Sequence, residues 1–165
     1  MKVLAAAAGS AIFFGLAPGV VAGLIPWWLT RWQPHELGEF GVPIRVVGAM
    51  LIVTGTAVLL HAFGRFVREG LGTPAPVAPT EHLVVGGLYR YVRNPMYLAV
   101  VATIVGQALA LGRFGLLWYA AAVFVAVAVF VHGYEEPTLS RQFGDEYVRY
   151  REEVRRWLPT WPRPV

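Results

Sequence analysis

Four apolar stretches dominate this 165-residue chain: about Ala6 to Leu29, Val42 to Phe63, Tyr97 to Leu111 and Phe114 to His132. Each reaches or approaches the roughly 20 residues needed to cross a hydrocarbon core. The third is the shortest and can borrow length from Val92 to Met96, because Pro95 is tolerated in a first helical turn. Hydrophobic residues make up 56% of the chain and charged residues 15%, outside the usual range of a soluble domain. The expectation is a single all-α domain over 1–165, an integral membrane bundle of four transmembrane helices with amphipathic C-terminal helices. Lys2 and the Ala-rich run after it look like a secretory signal, with Val21-Ala22-Gly23 as a weak cleavage point. The apolar run nevertheless continues through Pro26, Trp27 and Trp28 to Arg31, too long for a signal core and suited to a span with an interfacial aromatic belt. It is expected to stay in the mature protein.

The connections differ sharply in kind. Glu69 to Gly87 holds Gly70, Gly72, Pro74, Pro76, Pro79, Gly86 and Gly87, which predicts a long loop without internal periodicity. Only Gly112 and Arg113 separate the third and fourth spans, which forces a tight antiparallel hairpin. Beyond His132 the chain turns polar. From there Leu139, Phe143, Tyr147, Tyr150, Val154 and Trp157 recur at helical spacing. Gly144 followed by Asp145 predicts a stop and an N-cap, hence two short helices, the second ended by Pro159. Such a segment lies on the membrane surface or folds over the spans.

Charge sets the orientation. Lys2, Arg65, Arg68, Arg90, Arg93, Arg141, Arg149, Arg151, Arg155, Arg156 and Arg163 fall on one side, and Arg31, Arg45 and Arg113 on the other. That imbalance puts both termini and the long loop in the cytoplasm. The arginines flank apolar runs instead of forming a basic stripe with interleaved aromatics, which argues against nucleic acid as a partner. There are no cysteines, and no two histidines stand at metal-ligand spacing with a third donor, so no metal is expected. No triad, P-loop or dinucleotide fingerprint is present.

Chemistry concentrates at the cytoplasmic ends of the last two spans. Before the third, the chain reads His82-Leu83-Val84-Val85-Gly86-Gly87-Leu88-Tyr89-Arg90-Tyr91-Val92-Arg93-Asn94-Pro95-Met96-Tyr97, and after the fourth Tyr134-Glu135-Glu136-Pro137. The hairpin makes these segments neighbours. Arg90 and Arg93 taken alone read as interfacial anchors, and Tyr89, Tyr91 and Tyr97 as an aromatic belt. Glu135 and Glu136 resist so plain a reading, because carboxylates at a helix C-terminus oppose its dipole and beside a membrane require a cationic partner. Gly86 and Gly87 serve either as turn residues or as points of close ligand approach.

The run from His82 to Tyr97 resembles the isoprenylcysteine carboxyl methyltransferase family and the related phospholipid methyltransferases. So do Glu135-Glu136, Leu139, Phe143-Gly144-Asp145-Glu146-Tyr147, Tyr150 and the Val154-Arg155 to Pro159 ending. The resemblance implies a membrane-embedded enzyme that binds S-adenosylmethionine, releases S-adenosylhomocysteine and holds the cofactor in the half from 80 to 159. It further implies main-chain contacts to adenosine from His82, Leu83 and Val84, close approach at Gly87, and a pocket lined by Tyr89, Tyr91, Arg93, Asn94 and Tyr97. Glu135 and Glu136 would bind amino or ribose groups, with Tyr147, Arg151 and Arg155 closing the site. Arg93, Asn94, Glu136 and Arg155 would be the residues at the chemistry.

A sulfonium, an ammonium and a carboxylate on one ligand call for carboxylates, aromatic faces and arginine together, and this cluster supplies all three. Eukaryotic members usually carry histidine at the position of Asn94 and proline at that of Leu88, so the pattern is similar to the bacterial branch, which implies a bacterial inner membrane as the location. The first two spans, 1–65, carry no such motif and are expected to set the acceptor: a lipophilic or small carboxylate such as isoprenylcysteine, a phospholipid amine, or a thiol. The other readings are an NADPH-dependent sterol-type reductase and a non-catalytic membrane protein that keeps the fold.

Overall fold

The computed structural model describes residues 17–69 and 82–161, with backbone alone for 66–69. The expected start of the first span at Ala6, the loop residues 70–81, Lys2 and Arg163 lie outside the described residues. Helix α1 (Ala17–Thr30) is followed by a 3-10 turn at Gly38–Phe40 and helix α2 (Gly41–Glu69). A 3-10 turn at Gly87–Arg90 precedes helix α3 (Pro95–Leu111). Helix α4 (Gly115–Phe130) runs through a π-turn at Val131–Glu135 into α5 (Glu136–Phe143). Helix α6 (Asp145–Glu153) is followed by an irregular tail over 154–161. All regular structure among the described residues is helical.

Two continuous helices, Gly38–Arg65 and Gly115–Phe143, are long and apolar enough to cross a membrane; α1 and α3 are apolar but shorter. Both long helices turn large apolar side chains outward, Val46, Met50 and Val53 on α2 and Trp118, Val125 and Val129 on α4. A surface of that kind is stable against lipid and unstable in water. Helix α3 sits at the centre, with Ile104 and Ala108 fully buried against Leu59, Leu116 and Ala120.

Small residues set how closely α2 and α3 pack. A Cβ at Gly48 would lie 2.7 Å from the carbonyl oxygen of Gly106, and one at Gly106 would lie 2.7 Å from that of Gly48. One turn pair nearer the site, a Cβ at Gly55 would meet the Ala99 carbonyl at 3.0 Å. Gly48 and Gly55 stand seven apart on one face of α2, opposite Ala99, Thr103 and Gly106 on α3. Without a hydrophobic effect inside lipid, close backbone approach of this sort is the main source of helix association.

The hairpin forms as its two-residue connection requires, with Gly112 in the left-handed region at φ 65°. Its outer end is fastened by the loop after α1. The amide of His35 donates to Leu111 at 2.7 Å, and Arg113 Nε donates to the Gln33 carbonyl at 3.0 Å. Helix α1 has its own π-turn, Val20–Leu24. Two of its carbonyls accept side-chain bonds, Ala22 from Gln107 Nε2 at 2.6 Å and Val21 from the Tyr119 hydroxyl at 2.8 Å.

The fourth apolar helix departs from its expected end. Instead of stopping at His132, it continues unbroken to Phe143. Pro137 cannot donate a backbone bond, and the π-turn before it widens the ladder so that Glu136 N–H reaches Val131 O. The two short helices expected after it are there, separated by Gly144 at φ 52°. Asp145 makes no side-chain cap, and α6 ends at Glu153, well before Pro159, because the tail is drawn into pairing elsewhere.

Candidate functional site

The extra residue of the π-turn rotates the chain after it by roughly 100° relative to an uninterrupted α-helix. This turns Glu135 and Glu136 toward the start of α3. Glu136, 6% exposed, lies between two guanidinium groups. Arg93 reaches its Oε1 at 2.8 Å. Arg156 grips both oxygens, Nε to Oε1 at 2.8 Å and a terminal nitrogen to Oε2 at 2.5 Å. A fork of this geometry is among the stronger charge-assisted contacts. The neighbouring Glu135 accepts a 2.8 Å bond from the Tyr97 hydroxyl.

A tail closes this cluster from outside. Arg93 N–H donates to the Arg155 carbonyl at 3.0 Å and Thr160 N–H to the Tyr91 carbonyl at 2.7 Å. The Asn94 amide donates to the Arg156 carbonyl at 3.2 Å, and Thr160 Oγ1 to the Tyr91 carbonyl at 2.9 Å. Residues 154–161 therefore run as a strap along 91–94, with the Arg156–Glu136 contact as its latch. Helix α6 adds the Tyr150 hydroxyl, which donates to the Tyr89 carbonyl at 2.8 Å.

Inside lies a cavity of about 60 Å³ lined by Leu83, Val84, Tyr89, Arg93, Asn94, Val131, Glu135, Glu136, Leu139, Tyr147 and Tyr150. Arg93, with its side chain 9% exposed, gives one N–H to Tyr147 Oη at 3.3 Å. Its Nε is buried without a hydrogen-bond partner among the described residues. Burial pushes the Tyr89, Tyr147 and Tyr150 phenols up from their ordinary range, so all three stay neutral at physiological pH. The cavity thus joins carboxylates, an incompletely bonded guanidinium and neutral aromatic rings, a donor set that suits a small ligand carrying both charges.

The residues expected from sequence divide into those at the cavity and those away from it. Leu83, Val84, Tyr89, Arg93, Asn94, Glu135, Glu136 and Tyr147 line it, and Tyr97 is joined to it through Glu135. His82, Arg151 and Arg155 have exposed side chains, and Arg155 touches the cluster through its main chain. Tyr91 faces away and meets Trp161 edge to face at 6.3 Å. Gly87, at φ 57°, backs onto α2, where a Cβ would meet His61 Nε2 and Arg65 Nε at 3.0 Å. Sequence reasoning did not single out Arg156; the two adjacent arginines are indistinguishable until the strap is folded. Val131, Leu139 and Tyr150 were likewise not assigned to the site.

Fold and site define the class, a small helical protein with membrane-length helices and a polar centre closed at one end of them. The chain belongs to the phospholipid methyltransferase family, whose model matches residues 43–146. It is also 41% identical over 64 residues to an uncharacterized protein of Haemophilus influenzae, all of that protein's length and 38% of this chain. The family match starts at residue 43, so α2, where no motif was legible, belongs to the family pattern as well.

Proposed function

We propose that this chain is an integral membrane methyltransferase that draws its methyl group from S-adenosylmethionine bound among Glu135, Glu136, Arg93 and the three site tyrosines. In this reading α1 to α4 all cross the bilayer. Helix α3, at 17 residues, is about 25 Å long and spans the core with little tilt. The termini and the site face the cytoplasm, as the arginine imbalance requires.

The observation that carries the reading is the pairing of opposite demands inside one cavity. Glu135 borders it with a carboxylate held by Tyr97, and Arg93 lines it with a guanidinium whose Nε–H is buried without a hydrogen-bond partner among the described residues. A zwitterionic amino-acid moiety satisfies both, and the rings of Tyr89, Tyr147 and Tyr150 offer faces to a cationic sulfur. When bound, the cofactor supplies an activated methyl group on that sulfur. The protein's part is to align and to exclude water. Leu83, Val84, Val131 and Leu139 keep the cavity dry, Tyr97 fixes the Glu135 carboxylate, and Arg156 fixes that of Glu136. At about 60 Å³ the closed cavity is well below the 300 Å³ or more of small-molecule sites. Binding therefore requires the strap and α6 to move outward and close again.

The acceptor is a lipophilic or small nucleophile, a carboxylate, a phospholipid amine or a thiol. Calorimetric titration of the protein in lipid nanodiscs with S-adenosylmethionine and S-adenosylhomocysteine tests the reading. One saturable site for each is expected. Heats indistinguishable from dilution, in protein shown to be folded, would rule the cofactor out.

A further inference from the structure

A second and larger hollow, about 460 Å³, opens on the other side of the segment that carries Arg93 and Asn94. The segment is the partition. Tyr91, Val92 and Pro95 face this hollow, while Arg93 and Asn94 face the acidic cavity. Its floor is Gly55 and Val58 of α2 with Leu98 and Ala102 of α3, and its lip is Thr160 and Trp161 of the strap.

Its chemistry is almost wholly hydrocarbon. Among the described residues no charged side chain lines it. The Thr54 hydroxyl is taken up by the Met50 carbonyl at 2.7 Å and that of Thr160 by Tyr91 at 2.9 Å, so both threonines present mainly their methyl groups. Met50, Thr54 and Val58 follow one another at four-residue steps, which continues the hollow into the outward apolar stripe of α2. Trp161, at the lip, is 90% exposed, a poor position for an indole ring in water and a good one at a bilayer boundary.

We propose that this groove holds a hydrocarbon chain of a bilayer lipid, which seats against the strap and so holds closed the latch over the carboxylates. The one short segment serves both sides. Its Arg156 reaches Glu136 inward, and its Thr160 and Trp161 wall the groove outward. A chain in the groove covers apolar surface on Trp161 and Leu98 and favours the paired strap over one lifted into water. The partition separates the chain from the acidic cavity, and the occupant proposed is a bystander lipid, not the methyl acceptor. The proposal rests on the membrane setting given above and is independent of the cofactor.

The test uses the full chain in nanodiscs containing phospholipids with a photoreactive diazirine in the acyl chain. Adducts are expected to concentrate on Val58, Leu98 and Ala102, by about 10-fold over outward-facing Val46 and Val129, and to disappear in Ala102→Trp, which fills the groove. Peptide-level hydrogen exchange of the unmodified protein is the second measurement. The amides of Arg93 and Thr160 are expected to exchange ~10-fold more slowly in long-chain nanodiscs than in a short-chain detergent. Adducts spread evenly over the apolar faces, or equal exchange in both media, would overturn the proposal. So would methylation of the cross-linked lipid itself, which would make the groove an acceptor site. Neither the adduct pattern nor the hydrogen exchange needs S-adenosylmethionine, so a failed cofactor titration leaves both intact.

Discussion

The two adjacent glutamates occupy different environments, and their substitutions separate structure from ligand recognition. Glu136 neutralises Arg93 and Arg156 in a buried position. Glu136→Gln leaves two guanidinium groups without a counter-charge, and a loss of about 3–5 kcal/mol is expected, read by chemical unfolding in micelles. A clean loss of ligand binding from Glu136→Ala with folding untouched is therefore not expected. Glu135→Gln keeps the Tyr97 contact as an amide acceptor and removes only charge. Folding is expected to hold while affinity for S-adenosylmethionine drops about 10-fold or more in calorimetry. The buried tyrosines add a pH signature. Their folded-state pKa values lie above the unfolded value near 10, so the folded chain retains protons that the unfolded one loses on raising the pH. Stability is expected to be flat in this respect below about pH 10 and to fall above it, as equilibrium unfolding at a series of alkaline pH values would show.

At the level of elements, the contact of α2 with α3 depends on the absence of side chains. Gly106→Ala places a methyl group 2.7 Å from the Gly48 carbonyl and 2.9 Å from the Ile52 amide nitrogen. Neither backbone atom can swing aside, so the helices must separate, at an expected cost of about 1–3 kcal/mol in reversible unfolding. The two π-turns play opposite roles. That of α4 absorbs Pro137 and points the glutamates at α3. That of α1 exposes carbonyls which Gln107 and Tyr119 bond from neighbouring helices. Tyr119→Phe is expected to cost about 0.6 kcal/mol in the same assay, the average measured for a hydrogen bond between membrane helices.

For the molecule as a whole, orientation decides which solvent reaches the site. The chain has no cysteine, so single substitutions report accessibility without background. Arg113→Cys is expected to react with a membrane-impermeant maleimide on intact spheroplasts, and Asp145→Cys only after permeabilisation. The reverse pattern would place the site on the outer face and contradict the charge rule.

Much of this architecture follows from local order along the chain. Apolar length marks the helices, the Gly112-Arg113 connection compels the hairpin, and the hairpin makes neighbours of Arg93 and Glu136, because these are constraints between near residues. The helix through Pro137 was not legible, since the π-turn that tolerates it has no compositional mark. Nor could Arg156 be told from Arg155: which guanidinium faces Glu136 is set by how a bent strap pairs with a segment some 60 residues earlier. Gly48 and Gly106 likewise gain meaning only when brought face to face. Sequence by itself determined which residues are apolar, charged or helical, because those properties are carried residue by residue. Tertiary structure alone decided how a strap, a π-turn and a line of glycines converge to enclose a charged cavity on one side and an apolar groove on the other, because burial and pairing belong to contacts between distant parts of the chain.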